Sequence, residues 1–342
     1  MKPDRLIDQH ALAAAPAGLL NAQGEPIYGR FAGHLAQFDW TDLAAPWQRS
    51  AWWRRFHHKR WRYVALATEE IFCGIAIVDL GWATSSFAYV FERASKKELV
   101  AFSQDGLPGL SANISAQPMH GANCRFAFAG KRIAFQHLAN SSRYELQLRA
   151  GGFEIDAMLD ASQAAPALLA VGEIAGGSVH ATQKSAGLAL QGQVRCAGRR
   201  FDLQGGIGSF DYSNGMLQRD TAWRWASAHQ ADLGFNLQQG YFAAQENALW
   251  LDGQVYPLGQ AHFEYDAAQA DAEWQIWTED GLLQLQFIPE GARRQNKNLG
   301  VAISRYLQPI GCFSGWVKPH AAAAARPVVQ LVGVTEDHFS RW

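Results

Sequence analysis

The stretch of this chain best equipped for chemistry is Phe210-Asp211-Tyr212-Ser213-Asn214-Gly215, followed by Arg219, Thr221, Trp223 and Trp225, and then by Asn236, Gly240, Glu246 and Asn247. A strand running through Trp223 and Trp225 carries both indoles on one face, lining one wall of a barrel interior or of a cleft. If Asp211 reaches the same hollow, aromatic walls desolvate its carboxyl, raise its pKa and let it hold a proton near neutral pH. Those are the ingredients of a general acid acting on an apolar substrate. The alternative is an Asx-type turn, Asp-x-Ser-x-Gly, in which Asp211 caps backbone N–H groups with Arg219 as its ion-pair partner and the tryptophans serve as core. An arginine contact would defeat the acid role.

Several other chemistries are excluded by spacing. Lys184-Ser185 follows Gln183 where a phosphate-binding loop requires glycine, and no His-Glu-x-x-His occurs. Gly311-Cys312-Phe313-Ser314-Gly315 places its serine one position away from a nucleophile elbow. The glycines at 205, 206 and 208 precede a strand-rich region, so they do not read as a dinucleotide loop. Cys73, Cys124, Cys196 and Cys312 lie dozens of residues apart and offer neither a metal site nor a redox pair. Neither a cofactor nor a metal is expected.

A second feature is the basic, aromatic run from Trp52 to Tyr63, which includes Arg54, Arg55, Lys59, Arg60, Trp61 and Arg62. Such interleaving occurs in nucleic-acid-binding and membrane-surface segments, and the run could equally face a partner protein. The plainer reading is a helix end entering the first barrel strand, with the bases solvated and Trp61 and Tyr63 facing inward. The whole chain balances 30 Lys and Arg against 31 Asp and Glu, a net charge of −1 that gives no general attraction for phosphate backbones, so nucleic acid is not an expected partner. A membrane surface is the alternative partner for the basic run.

The elements that must position these residues are strands. Of the 342 residues 48% are hydrophobic and only 18% charged, which suits an ordered chain with a sizeable core. From about residue 60 the apolar residues alternate: Tyr144, Leu146 and Leu148 against Glu145, Gln147 and Arg149; Leu283, Leu285 and Phe287 against Gln284 and Gln286; Phe263 and Tyr265 against His262 and Glu264. Ala129-Gly130, Ala197-Gly198, Asp252-Gly253 and Asp280-Gly281 read as two-residue hairpin turns. Closely spaced antiparallel hairpins predict meander sheets that lose their edges by closing into barrels. Helix is expected over Thr41–Lys59 and briefly over Ser95–Ser103. Pro319–Pro327, with five alanines, reads as a loop or short helix before a last strand, Val328–Val334. Division of the chain is expected near residue 213: an N-terminal segment over 1–25, a first barrel over 26–213 and a second over 214–342.

The Ala-rich run Ala11–Leu20 is preceded by Asp4, Asp8 and His10 where a secretory signal carries bases, and no stretch reaches the length of a membrane helix. A cytoplasmic location is expected, and the Asn-x-Ser triplets at Asn113 and Asn140 read as chance.

At Asp211, Ser213, Gly215, Arg219, Thr221, Trp223, Trp225 and Ala226 the chain resembles the domain-of-unknown-function family numbered 2804. Further matching pieces are Lys59-x-Trp61-x-Tyr63, Asp79-Leu80-Gly81 with Phe87-x-Tyr89, Asn236-Leu237, Glu246-Asn247, and Gly333-x-x-Glu336-x-His338. More distantly it is similar to carotenoid hydratases, tocopherol cyclases and cofactor-free cyclases, which are paired lipocalin-like (calycin) barrels. The resemblance implies an all-β fold of two antiparallel barrels in tandem, with an apolar pocket in or between them. In the hydratases an Asp beside an aromatic residue protonates an alkene, and Asp211-Tyr212 with Gly215 occupies the matching position here. The leading expectation is a protein that binds a lipophilic small molecule, isoprenoid, lipid or polyketide-like. Asp211, Arg219, Glu246, Asn247 and Asn236 would supply its polar contacts, and Trp223, Trp225, Tyr212, Trp61 and Tyr89 its contact area. The alternative adds hydratase, cyclase or isomerase chemistry, with Asp211 as acid and aromatic faces steadying a cation.

Overall fold

A computed structural model describes residues 10–269, 271–298, 300 and 302–342. Asp4, Asp8 and the opening of the N-terminal segment lie outside the described residues. The alternation seen in the sequence becomes burial: Tyr144, Leu146 and Leu148 are fully buried while Gln147 and Arg149 are exposed, and Leu283, Leu285 and Phe287 are buried while Gln284 is exposed. Each such side chain taken from water contributes about 1.5–3 kcal/mol. Ala129-Gly130, Ala197-Gly198 and Asp252-Gly253 each put two consecutive residues at positive φ, from 47° to 84°, which is the type I′ geometry matching the twist of the flanking strands.

The protein is all-β, with two barrels in tandem and, among the described residues, one short helix, Ala51–His57. In the first, 15-stranded sheet, Lys97–Gly106, Thr84–Glu92, Ile71–Asp79, His58–Ala67 and Ile207–Met216 follow one another, and Val179–Lys184 pairs with Ile207–Met216 as a side branch. In the second, 9-stranded sheet, Leu233–Gly240, Asp220–His229, Arg326–Arg341, Ile303–Val317 and Leu283–Asn298 are neighbours in that order. The chain leaves the first sheet at Met216 and enters the second at Asp220, so residue 213 falls inside a strand.

Three local expectations are corrected. The helix expected over Thr41–Lys59 shrinks to Ala51–His57, started by Ser50, whose Oγ accepts the Trp53 N–H at 3.3 Å. Ser95–Ser103 is not helical: from Lys97 it is a strand paired with Thr84–Glu92, because ladder pairing outweighs the local propensity of its Lys and Glu. The last strand runs from Arg326 to Arg341, and the alanine run before it forms turns.

Both barrel interiors are filled by their own side chains, among them Phe126, Phe135, Leu146 and Tyr212 in the first and Phe235, Trp274, Phe287 and Phe313 in the second. A third apolar cluster lies between the barrels. Along His58–Ala67, Val64 and Leu66 point into the first barrel while Tyr63 and Ala65 point out toward the second. Along Asp220–His229, Ala226 and Ala228 point into the second barrel while Trp223 and Trp225 point out toward the first. The two indoles share a face, and that face looks into the seam between the barrels. Phe287→Ala should cost about 3–5 kcal/mol, since a filled barrel closes little around the void; chemical denaturation measures it, and a cost below about 1 kcal/mol would mean a loosely packed second barrel.

Candidate functional site

The seam opens into a cleft of about 290 Å³ whose walls include Trp61, Tyr63, Trp223, Trp225, Tyr241 and Trp342. The Trp61 and Trp223 rings lie nearly parallel with centroids 6.4 Å apart, and Tyr63 meets Trp225 edge-on at 5.8 Å. Asp211 and Glu246 also line this cleft.

Lys184 stands directly across the ladder from Asp211, so both side chains leave adjacent strands on the same face. The Lys184 Nζ donates to Asp211 Oδ2 at 2.9 Å and lies 2.9 Å from Glu246 Oε2, with the Trp225 ring centroid 5.8 Å away. The three residues are only 6%, 7% and 3% exposed, for Lys184, Asp211 and Glu246 respectively. One ammonium shared by two carboxylates in so dry a place leaves an excess of negative charge. Burial accordingly raises the Glu246 carboxyl above its ordinary pKa, and Lys184 only partly offsets it. Burial by itself would lower Lys184, but Asp211 and Glu246 together outweigh it and raise the ammonium. Asp211 Oδ1 is buried with no hydrogen-bond partner. Asn236 joins this group to the aromatic wall, accepting Trp225 Nε1–H at 2.8 Å and donating to the Glu246 carbonyl at 2.8 Å. Asn247 fixes the same loop, accepting from the Gln238 N–H at 2.6 Å and donating to the Gly259 carbonyl at 2.9 Å.

A second polar wall comes from Glu336, His338 and Ser340, alternate residues of Arg326–Arg341. Glu336 accepts Trp223 Nε1–H at 2.8 Å and Gln308 Nε2–H at 3.0 Å, and Gln308 in turn accepts the Tyr89 hydroxyl at 2.6 Å. His338 Nε2 is 2.7 Å from Ser340 Oγ. The Tyr63 hydroxyl is buried without a partner, and burial pushes its pKa up, with Glu336 adding to the shift.

These positions sort the residues singled out in the sequence. Asp211, Trp61, Trp223, Trp225 and Glu246 meet at the cleft, with Asn236 and Asn247 behind it and Tyr89 behind Gln308. The Asx-turn alternative is overturned, because Asp211 to Gly215 lie within the strand Ile207–Met216. The cation on Asp211 is Lys184, not Arg219, which is exposed beyond that strand. Tyr212 points the other way, into the first barrel, with its ring 5.2 Å from that of Phe38 and its oxygen accepting Asn214 Nδ2–H at 3.0 Å. In the basic run Lys59 and Arg62 are buried, not solvated, and Arg62 packs on the rings of Phe135, Phe210 and Tyr212. Trp52 remains 75% exposed on the helix. Sequence reasoning missed Lys184, which stood out only as a failed phosphate-loop match. It also gave no role to Glu336 and His338, although their spacing puts both on one strand face. Among the described residues no cluster of His, Cys, Asp and Glu could hold a metal ion, and no helix is long and apolar enough to cross a membrane.

Removing the shared cation leaves two buried carboxylates facing each other, so Lys184→Met should cost about 3–5 kcal/mol in denaturant unfolding. Adding Asp211→Asn and Glu246→Gln should restore most of that loss. Because the folded ammonium titrates above its ordinary value of 10.5, its contribution is complete below that pH and is lost as pH rises through the raised value. Glu246 has the opposite sign: its raised carboxyl makes stability fall as pH rises from its ordinary value of 4.5, and Glu246→Gln should flatten that fall. A Lys184→Met cost below about 1 kcal/mol, with an unchanged pH profile, would contradict the buried triad.

Comparison with known proteins places this geometry in context. No curated protein matches the chain in sequence. Its fold is similar to the crystal structure of kievitone hydratase from Nectria haematococca, at 10% identity and a TM-score of 0.53, covering 95% of this chain and 98% of that one. It is also similar to CghA with Sch210972, at 10% identity and a TM-score of 0.58, covering 96% and 97%. At that identity the likeness is one of fold: lipocalin-like barrels in tandem. Over residues 9–342 the sequence itself matches a single family model, and the chain belongs to the domain-of-unknown-function family DUF2804.

Proposed function

We propose that the cleft between the barrels binds a lipophilic small molecule and engages a hydroxyl or enol of it at Asp211. The observation that carries this reading is Asp211 Oδ1: a buried acceptor with no partner, on a residue that lines a cleft walled by indoles and phenols. Leaving such an atom unpaired costs about 1–3 kcal/mol, which a ligand O–H would recover. Lys184 fixes the carboxylate through its other oxygen, and Asn236 fixes both Trp225 and the Glu246 loop, so the site is preorganised.

A second reading adds catalysis, a hydration, cyclisation or isomerisation in which a proton moves between ligand and cleft. The raised Glu246 carboxyl favours it, since a group that keeps its proton to higher pH can donate it, while ion-paired Asp211 is set to accept one. Trp223 and Trp225 would face the developing positive charge. Asp211, taken from the sequence as the acid, becomes the base or orienting acceptor, and Glu246 becomes the acid. The hydratase named among the structural neighbours gives this reading a precedent of fold.

Titration with neutral anthracene-2-methanol, followed by its fluorescence, tests the binding reading. Saturable binding is expected, weakened about tenfold by Trp225→Ala and by Trp223→Ala, as loss of an aromatic contact worth about 1.4 kcal/mol requires. Absence of saturable binding would end the proposal. For the catalytic reading, turnover of a substrate recovered from the native host should be lost with Glu246→Gln while its affinity changes less than about threefold, and lost with Asp211→Asn together with weakened binding; undiminished turnover in both would remove it.

A further inference from the structure

We propose that Arg293 is an anion anchor in this cleft and that the lipophilic ligand carries a carboxylate. The inference rests on the binding reading above and names the ligand class. Arg293 lies on Leu283–Asn298, beyond a shift in ladder register between Pro289 and Gly291, and reaches across to the first barrel, where its Nη2 donates to Ser103 Oγ at 2.7 Å. The same nitrogen donates to Gln295 Oε1 at 3.0 Å. The guanidinium carbon sits 4.1 Å from the Phe87 ring centroid and 5.0 Å from that of Tyr306. Both oxygens it reaches are neutral, and among the described residues no carboxylate forms an ion pair with it. Glu98 feels its charge without pairing. Arg293 is 5% exposed, it lines the cleft, and its Nη1 is buried with no partner.

A guanidinium held in so dry a place without a counter-charge is costly unless an anion arrives. Arg62 shows what a purely structural buried arginine looks like here. It too has unpartnered nitrogens, but rings of the filled first barrel enclose it and it does not line the cleft. Arg293 differs in belonging to the wall of the cleft. The planar fork stacked on Phe87 and Tyr306 presents its N–H groups edge-on to a carboxylate, while the aromatic walls take the apolar body of the ligand. The cleft then has two polar ends of opposite preference: the Asp211 end accepts a hydroxyl or enol, and the Arg293 end takes an anion.

Two fluorescent probes of one shape separate the claims: anthracene-2-carboxylate and neutral anthracene-2-methanol. The wild-type protein should bind the carboxylate at least about tenfold more tightly than the alcohol, as a desolvated charge-assisted hydrogen bond implies. Arg293→Met should abolish that preference and leave alcohol affinity within about threefold, whereas Arg293→Lys should keep part of it. The exposed neighbour serves as a control, and Arg294→Met should change nothing. The wild-type ratio alone decides the matter if the Arg293 variants do not fold. Equal wild-type affinities would overturn the anion anchor and leave the binding reading standing. Failure of both probes to bind would overturn the two together.

Discussion

The structure depends on one constraint: a few strands are buried on both faces. In Ile71–Asp79 the side chains of Ile71, Cys73, Ile75 and Ile77 fill the first barrel, while Phe72 and Ala76 face the second. Gly74 is required between them because a Cβ there would come 2.5 Å from the Tyr89 ring, which belongs to the cluster between the barrels. Two-sided burial converts a pair of barrels into one body and leaves a gap where large flat rings cannot interdigitate fully. The cleft occupies that gap.

Charge is managed differently in the interior and in the seam. Inside the first barrel Arg62 is smothered by rings. Along the seam Lys184 is shared by Asp211 and Glu246, and Glu336 is held by Trp223 and Gln308. Each buried group is tied down by neighbours that are themselves held: Trp225 by Asn236, the Glu246 loop by Asn247, and Gln308 by Tyr89. Among the buried atoms left without a partner are Asp211 Oδ1, the Tyr63 hydroxyl and Arg293 Nη1. All three belong to residues that line the same open space. Unsatisfied polar atoms in a filled core are only a cost, whereas on residues that line a cleft they are positions a bound polar group could satisfy.

Much of the fold was legible because period-two alternation and paired positive-φ turns are local. Leu283, Leu285 and Phe287 declare a buried face without reference to any other strand, and Asp252-Gly253 declares a hairpin without knowledge of the barrel. The shared face of Trp223 and Trp225 was legible for the same reason. What misled was equally local: a Lys- and Glu-bearing run at Ser95–Ser103 resembles helix until a neighbouring strand pairs with it, and Asp211 beside Ser213 and Gly215 resembles a turn until strands flank it on both sides.

By itself, then, the amino-acid order determined a strand-rich protein built of hairpins and placed Trp223 and Trp225 on one strand face, while leaving open whether Asp211 joins them or caps a turn. Tertiary structure decided that Asp211 and the two tryptophans meet at a cleft in the seam and not inside a barrel, because alternation states that two faces differ but not which of them meets the partner sheet. It also decided the counter-charge. Lys184 precedes Asp211 by 27 residues and Glu246 follows at 35, and only the ladder register and a loop between strands of the second sheet bring the three within 2.9 Å contacts. Arg293 and Phe87, from different barrels, meet for the same reason: long-range pairing is a property of the assembled sheets, and no local pattern of residues encodes it.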